Sequence, residues 1–312
     1  MAKKVVASEK AKHPLAEVFG FPTRNLKAIA KKHRQDTLCP YNNKAPTCTK
    51  DRLSAPLGVC SIFYNETQTV ICPVRFREDW KICSDAAEFF FPLAKHWTFV
   101  KEIRIKERSG KSAGNIDVVV ISHDDAGKVL DFGAVEIQAV YISGNIRNPF
   151  EFYMKDPDSR ADFDWSDEEL YPRPDYLSSS RKRLVPQLGY KGKILRAWNK
   201  KMVVAIDRPF FNTLPELPRS KQSDAEICWL VYQLEGDRMD KFKLTLDEKI
   251  QTGFQDTINT LDTPDIGEPD QFVAHLEEKL GIELAMLRKA GFRSYSDLLK
   301  NNVRNRVPEA SL

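Results

Sequence analysis

The sequence predicts an α/β fold in which a mixed sheet is covered by helices. The first observation behind this is the order of predicted elements between residues 84 and 206: a helix, three strands, a second helix and a fourth strand. The second is length, because 312 residues can form one large or two modest domains with a genuine core. The third is composition, since 42% hydrophobic and 29% charged residues are ordinary values for a globular protein.

The N-terminal part is predicted to be less regular than this core. Residues 1–35 carry a basic, amphipathic helical pattern, with a helix start at residues 22–25. Residues 36–82 are rich in loops and cysteines and have few apolar residues for a core of their own. They are predicted to fold around a metal ion.

The remaining elements follow from apolar patterning and capping residues. Ser84 and Asp85 are expected to cap a helix that runs to about Lys95. Further segments are predicted as strands 97–106, 114–122, 129–141 and 202–206, a helix over 179–199, strands near 227–234 and 242–246, and helices from Asp270 onward. The predicted domains are residues 1–83, 84–210 and 211–312, the last being an α+β extension of the core.

Acidic residues stand inside two of the apolar strands. Asp117 lies in the run 114–122, and Glu136 and Gln138 lie in the run 129–141, with the polar turn 123–128 between them. A carboxylate is costly to bury unless a cation compensates its charge. The sequence shows no cationic side chain that is an obvious partner, so the pair predicts a bound divalent metal ion.

Hairpin geometry supports one cluster of these residues. An antiparallel pairing that puts Asp117 opposite Glu136 centres the turn between Ala126 and Gly127, inside the polar segment. Gln138 follows Glu136 by two residues and therefore projects from the same face. The competing interpretation is that both carboxylates stand at strand edges and face solvent.

A basic block follows the acidic insertion 156–175. Residues 178–201 hold eight Lys or Arg residues and no acidic residue. Such a block is typical either of a solvated helix face or of a surface that contacts phosphates. Arg181, Lys182 and Arg183 are the candidates for contacts to DNA, whether to guanine edges or only to the backbone.

Five of the six cysteines fall between residues 39 and 83. In a protein expected to be cytoplasmic, clustered thiols indicate metal ligation rather than disulfides. Cys39, Cys48, Cys60 and Cys72 are the candidate ligands, and zinc or iron suits four thiolates. Cys83 is the expected spare. The gaps between the four are too open for a zinc finger, and small buried hydrophobic residues are the alternative interpretation.

Two resemblances sharpen these predictions. The spacing Asp117…Glu136-x-Gln138 resembles the signature of the PD-(D/E)XK nucleases, with glutamine in the usual lysine position. The segments His13–Thr23, Leu38-Cys39-Pro40, Cys48-Thr49-Lys50, residues 56–61 and residues 71–76 resemble the N-terminal region of the NotI-type restriction endonucleases. The resemblance runs from about residue 13 to residue 205.

The resemblance implies a PD-(D/E)XK core with an N-terminal four-cysteine site that holds a structural iron. It implies that Asp117, Glu136 and the carbonyl of Ile137 bind catalytic Mg²⁺, that Gln138 orients the attacking water, and that Glu102 matches an additional acidic position. For Glu102, an exposed strand carboxylate is the alternative. Magnesium bound by carboxylates can activate water and stabilise the charge of phosphodiester hydrolysis.

The implied function is that of a type II restriction endonuclease that acts as a homodimer on double-stranded DNA. The resemblance implies a GC-rich palindrome containing GGCC, with CGGCCG favoured over GCGGCCGC, and cleavage that leaves 5′ overhangs. A metal-stabilised DNA-binding protein without catalysis and a nonspecific repair or transposition nuclease are the alternatives. No apolar run approaches the roughly 20 residues of a membrane span, so no membrane partner and a cytoplasmic location are expected.

Overall fold

The computed structural model describes residues 12–43, 46–65 and 67–304 of the chain. They divide into two units, the first ending at Asp262 and the second beginning at Thr263. Both domain boundaries predicted from the sequence, 83/84 and 210/211, fall inside the first unit. The part of the predicted helical pattern that falls in residues 1–11 lies outside the described residues.

A small antiparallel sheet opens the first unit, with strand order β2-β1-β5-β6. The elements of this region are β1 Leu15–Val18, β2 Phe21–Pro22, α1 Ala28–Gln35, β3 Asp51–Arg52, β4 Ala55–Pro56, β5 Val59–Tyr64 and β6 Thr67–Val70. The helix expected to start at residues 22–25 is wrong in its bounds, because residues 15–22 form two strands and the helix begins at Ala28. Residues 36–82 are also more regular than predicted, since β5 pairs with both β1 and β6.

Apolar packing explains why these short strands form. Leu15 and Val18 of β1 pack with Val59 and Ile62 of β5, and all four are fully buried. Burial of such side chains contributes about 1.5–3 kcal/mol each, which offsets the ordering of short strands. Phe150, from the helix Arg147–Lys155, joins the same cluster and fixes this sheet to that helix.

The central element of the first unit is a six-stranded mixed sheet with the order β14-β13-β12-β9-β8-β7. Its elements, with the segments that connect them, are a 3₁₀ segment Pro73–Trp80, α2 Lys81–Phe90, β7 Trp97–Lys106, β8 Ser112–His123, β9 Val129–Gln138, β10 Tyr141–Ser143, α3 Arg147–Lys155, α4 Pro157–Arg160, β11 Arg173–Asp175, α5 Tyr176–Ser179, a π-helical turn Ser180–Leu184, α6 Val185–Ala197, β12 Met202–Asp207, α7 Arg208–Phe211, β13 Ile227–Glu235, β14 Lys243–Thr252 and α8 Phe254–Asp262.

This order confirms the predicted helix, three strands, helix, strand sequence. Strand β12 runs parallel to β9 and to β13, whereas the β7-β8-β9 meander and the β13-β14 pair are antiparallel. The predicted capping of α2 at residues 84–85 is wrong, because the helix begins at Lys81 after Trp80 adopts a left-handed conformation. The helix predicted over 179–199 is three consecutive segments from Tyr176 to Ala197.

Helices cover both faces of the sheet. Alternate residues of β8 and β9 face opposite sides, so that Val118 and Val135 pack toward α2 whereas Val119 and Ala134 pack toward α6. Helix α6 in turn packs closely against α8, because a Cβ at Gly192 would lie 2.3 Å from Cε2 of Phe254. This packing holds α6 over the C-terminal end of β9.

The second unit contains α9 Pro269–Lys289 and α10 Tyr295–Arg304. Most of the apolar side chains of α9 are exposed, and Leu287 is buried. Across the part of the chain that the structure describes, no helix has both the length and the apolar character that crossing a membrane requires.

Candidate active site

The β8-β9 hairpin brings the predicted acidic residues together. Val118 pairs with Val135 and Ile121 with Phe132, which is the register expected from the sequence. Continued by one residue, it sets Asp117 opposite Glu136. The backbone N–H of Ile137 donates to Oδ2 of Asp117 over 2.8 Å, which holds this carboxylate against β9.

Glu136 is buried, with 1% of its surface exposed. Burial, and then the nearby carboxylate of Asp117, raise the pKa of Glu136 to about 7, while Lys191 and Arg183 act in the opposite direction. Two carboxylates held this close in a low-dielectric setting favour binding of a cation. The raised pKa of Glu136 thus follows from its burial beside a second carboxylate at this end of β9.

A lysine that the sequence pattern did not single out contacts Glu136. Nζ of Lys191 on α6 donates to both carboxylate oxygens of Glu136, at 2.8 and 2.7 Å. The expectation that the carboxylates have no cationic partner is therefore wrong. A sequence signal was present, because Lys191 continues the buried stripe formed by Leu184 at the end of the π-helical turn and by Leu188 and Leu195 on α6.

Gln138 lies on the same face as Glu136, as predicted. Its Nε2 donates to Oε1 of Gln187 over 3.1 Å, so residues one turn apart on α6 contact both β9 side chains. Oε1 of Gln138 is buried and accepts no hydrogen bond from the residues that the structure describes. A buried amide oxygen without a donor is costly, and it fits a site built to receive a water molecule or a ligand.

Glu102 lies across from Asp117 in the β7-β8 register, between the pairs Lys101–Val118 and Ile103–Ile116. Its φ of 57° is a left-handed conformation within β7, which keeps the same register with β8 on both sides of it. The side chain is 59% exposed and forms an ion pair with Arg77, with 3.5 Å between Oε1 and Nη2. The backbone thus brings Glu102 next to Asp117, but the carboxylate is turned toward Arg77.

A comparison with known protein families identifies the family of this chain. The family model of the restriction endonuclease NotI matches residues 24–244, a span that contains both strands of the hairpin and all of α6. The chain belongs to the NotI restriction endonuclease family. It is therefore a site-specific deoxyribonuclease whose substrate is double-stranded DNA. Among curated proteins, no match to this chain was found.

Basic residues of this endonuclease lie next to the cluster formed by Asp117, Glu136 and Gln138. Arg181 and Lys182 are exposed on the π-helical turn, and Arg183 is half-buried with its guanidinium 5.6 Å from the ring centre of Tyr141. Arg183 also acts electrostatically on Glu136. π-Helical turns occur often at functional sites because they re-aim side chains. Of the three predicted DNA-contacting residues, Arg183 is therefore near the carboxylates, whereas Arg181 and Lys182 face solvent.

The four candidate cysteines converge although they are far apart in sequence. Cys39 and Cys48 flank the bridge between Leu38 and Thr47, and the N–H of Cys72 donates to the carbonyl of Cys60 over 3.2 Å. Burial, and then the neighbouring thiols of Cys72 and Cys48, raise the pKa of Cys39 to about 11. The pKa of Cys60 is also raised well above its usual value, by burial and by Cys72.

All six cysteines are free thiols. Cys83 and Cys228 lie elsewhere, in the core between α2 and the central sheet. As the side chains stand in the described ranges, no three His, Cys, Asp or Glu residues are arranged to hold a metal ion. The thiols of Cys48, Cys60 and Cys72 nevertheless surround the buried Lys50. Nζ of Lys50 donates to the carbonyls of Val59 at 2.9 Å and Ile71 at 3.1 Å.

Proposed function

We propose that this protein is a type II restriction endonuclease with a PD-(D/E)XK active site, and that it hydrolyses DNA with Mg²⁺. The single observation that carries the proposal is the juxtaposition of Asp117, Glu136 and Gln138 on one face of the β8-β9 hairpin. Strand and helix order around the hairpin, and the family to which the chain belongs, support the same assignment.

The residues present fit a hard divalent cation. Asp117 and Glu136 offer carboxylate oxygens and Ile137 a backbone carbonyl, which are the donors that Mg²⁺ prefers. When bound, the metal ion would polarise the phosphate and lower the pKa of a water molecule. The unpartnered Oε1 of Gln138 would accept a hydrogen bond from that water and orient it.

The reaction is a displacement at phosphorus. The oxygen of the attacking water bonds to phosphorus and gives up a proton, and the bond from phosphorus to the 3′ oxygen breaks. The 3′ oxygen takes up a proton, so that the products carry a 5′ phosphate and a 3′ hydroxyl. Glu102 is proposed as a ligand for a second ion beside the first, which requires its carboxylate to turn away from Arg77.

We further propose that the substrate site is a palindrome containing GGCC, of the form CGGCCG, cut to leave 5′ overhangs. This rests on the resemblance of residues 13–205 to NotI-type enzymes. A palindrome requires a two-fold symmetric reader, so the active species is proposed to be a homodimer. Arg181, Lys182 and Arg183 would contact phosphates or guanine edges next to the cleaved bond.

Cys39, Cys48, Cys60 and Cys72 are proposed to hold one structural iron or zinc ion. Their convergence and the absence of disulfides among these four thiols support this, as does thiolate chemistry. The four side chains would have to rearrange from their present positions to close around one ion. With all four positions occupied by thiolates, such a metal leaves no open coordination position and serves folding rather than catalysis.

The experiment is a digest of plasmid DNA with purified protein, with and without Mg²⁺, followed by sequencing of the fragment ends. Discrete fragments that require Mg²⁺ and end in 5′ overhangs within CGGCCG are expected. A smear of products would indicate the nonspecific nuclease. Binding to DNA without any cleavage at any Mg²⁺ concentration would favour the metal-stabilised DNA-binding protein.

A further inference from the structure

The charge at position 138 poses a specific problem for the proposed function. Gln138 stands where PD-(D/E)XK nucleases commonly have lysine, and an amide carries no charge. Hydrolysis of a phosphodiester builds negative charge on the phosphate oxygens, and a positioned cation is the usual way to stabilise it. We propose that Lys191 supplies this charge from α6, so that the catalytic lysine reaches the site from a helix instead of from β9. This inference rests on the proposed function.

The first reason is the position of α6 over β9. Gln187 and Lys191 lie one turn apart on α6 and reach down to Gln138 and Glu136, which lie two residues apart on β9. The helix therefore lies over the same strand face from which a lysine at position 138 would project. Gly114 of β8 completes the slot, since a Cβ there would lie 3.4 Å from Cε of Lys191.

The second reason is the energetic cost of burying Lys191. Lys191 is 6% exposed and occupies a position in the buried Leu184, Leu188 and Leu195 stripe. Removing an ammonium and a carboxylate from water is costly, so an apolar pair at such a position is often as stable or more stable. A stripe position held by lysine is thus poorly explained by folding stability and well explained by chemistry.

The third reason concerns the donors of Lys191. An ammonium has three N–H donors, and the two hydrogen bonds to Glu136 use two of them. When an oxygen of Glu136 binds a cation instead, a second donor is released. Lys191 can then donate to a non-bridging oxygen of the scissile phosphate while it remains anchored to Glu136.

The test moves the charge between the two positions. Four variants are compared with the wild type: Lys191→Gln, Gln138→Lys, the double variant Q138K/K191Q, and the control Lys193→Gln, which removes an exposed lysine from the same helix. Single-turnover cleavage by Lys191→Gln is expected to fall about 100-fold or more, the usual effect of deleting one stabilising donor. The double variant should recover at least about tenfold of that loss, and Lys193→Gln should cleave like the wild type.

Calcium binding without DNA separates this role from a structural one. Calorimetry with Ca²⁺ alone is expected to show tighter binding by Lys191→Gln, because a like charge beside the cation is removed. If Lys191 merely holds Glu136 in place, Ca²⁺ binding weakens in the same variant, and the proposal is overturned. Cleavage by Lys191→Gln at the rate of the Lys193→Gln control overturns it as well.

Circular dichroism identifies the case in which removal of the buried pair unfolds Lys191→Gln. The double variant then decides, because it restores a lysine beside Glu136. Mg²⁺-dependent cutting by the folded double variant supports the proposal. A folded but inactive double variant contradicts it when Gln138→Lys alone still cuts, since the loss of Gln138 is then not the cause. Failure of the proposed function itself is distinguishable, since the wild type would then show no Mg²⁺-dependent cleavage at all.

Discussion

The N–H of Ile137 donates to Oδ2 of Asp117 over 2.8 Å. This backbone hydrogen bond holds the carboxylate of Asp117 next to Glu136. Because Ile137 lies between Glu136 and Gln138, this one hydrogen bond links all three proposed catalytic positions. The spacing of the site is therefore set by the pairing of β8 with β9.

Cleavage is expected to depend on the protonation of Glu136. Burial and the charge of Asp117 raise the pKa of this carboxyl to about 7, and only its ionised form binds a metal ion. At limiting Mg²⁺, the cleavage rate should rise as the pH increases through about 7. Higher Mg²⁺ should move the midpoint to lower pH, because the metal ion competes with the proton. A rate that is independent of pH across this range, at limiting Mg²⁺, would contradict the assignment.

The same raised pKa has a consequence for stability without metal. A carboxyl whose folded-state pKa lies above its unfolded value stabilises the fold at low pH and loses that contribution as pH rises through the folded value. The Glu136 contribution to the free energy of unfolding should therefore decrease between about pH 4.5 and about pH 7 in metal-free protein. Urea titrations of wild type and Glu136→Gln measure it as the difference between the two proteins.

Replacing any of the four clustered cysteines should release the structural metal. Serine at position 39, 48, 60 or 72 removes one thiolate ligand, and the N-terminal sheet should then unfold at lower urea concentration. Elemental analysis is expected to find about one iron or zinc per wild-type chain. Cys83→Ser and Cys228→Ser are the matched controls and should keep the metal, because both lie in the central core. Active wild-type protein without metal would refute the site.

The exposed basic residues should govern the salt dependence of DNA binding. A protein that neutralises one phosphate fewer has a slope of log K against log salt concentration that is shallower by about 0.9. Arg181→Gln and Lys182→Gln should each show this reduction if they contact phosphates. Lys128→Gln serves as control, because Lys128 is exposed at the turn of the β8-β9 hairpin, away from Asp117. Equal slopes for all three variants and wild type would argue against a phosphate contact.

A buried ion pair should dominate the stability of the N-terminal sheet. Glu17 and Arg75 are both fully buried, with 3.0 Å between Oε1 and Nε, and Ser61 donates to the same carboxylate. Glu17→Gln removes one of the two carboxylates that pair with Arg75, whose Nη1 remains 2.8 Å from Oε2 of Glu78, so the free energy of unfolding should fall by about 1–3 kcal/mol. Asp158→Asn, which breaks an exposed pair with Lys31, should cost no more than about 1 kcal/mol. Chemical denaturation of both variants provides the comparison.

Local patterning was sufficient to predict the β8-β9 hairpin and the order of the core elements. The register of β8 with β9 followed from the turn at residues 123–128, and strand β7 has the bounds that its apolar run predicts. Patterning failed for β1 and β2, because two short buried strands resemble a helical repeat when taken alone. They form only because β5, more than forty residues later, pairs with β1.

Lys191 escaped prediction for a different physical reason. In a basic block, a lysine is ordinarily solvated, and its residue type alone does not distinguish Lys191 from Lys193. Its position in the apolar stripe of α6 was the available signal, but its partner Glu136 lies 55 residues away. The turn of Glu102 toward Arg77 was equally inaccessible, because it depends on a left-handed residue in the middle of β7.

The measurement that tests the central claim most directly is cleavage and binding of one duplex by wild type and Asp117→Asn. Asparagine keeps an oxygen that can accept from Ile137 but removes the charge that binds the cation. With Mg²⁺, wild type is expected to cut a duplex containing CGGCCG, and the variant should be about a thousandfold slower. Both should bind the duplex with similar affinity in gel shifts with Ca²⁺. Near-normal cutting by Asp117→Asn would contradict the assignment of this hairpin as the active site.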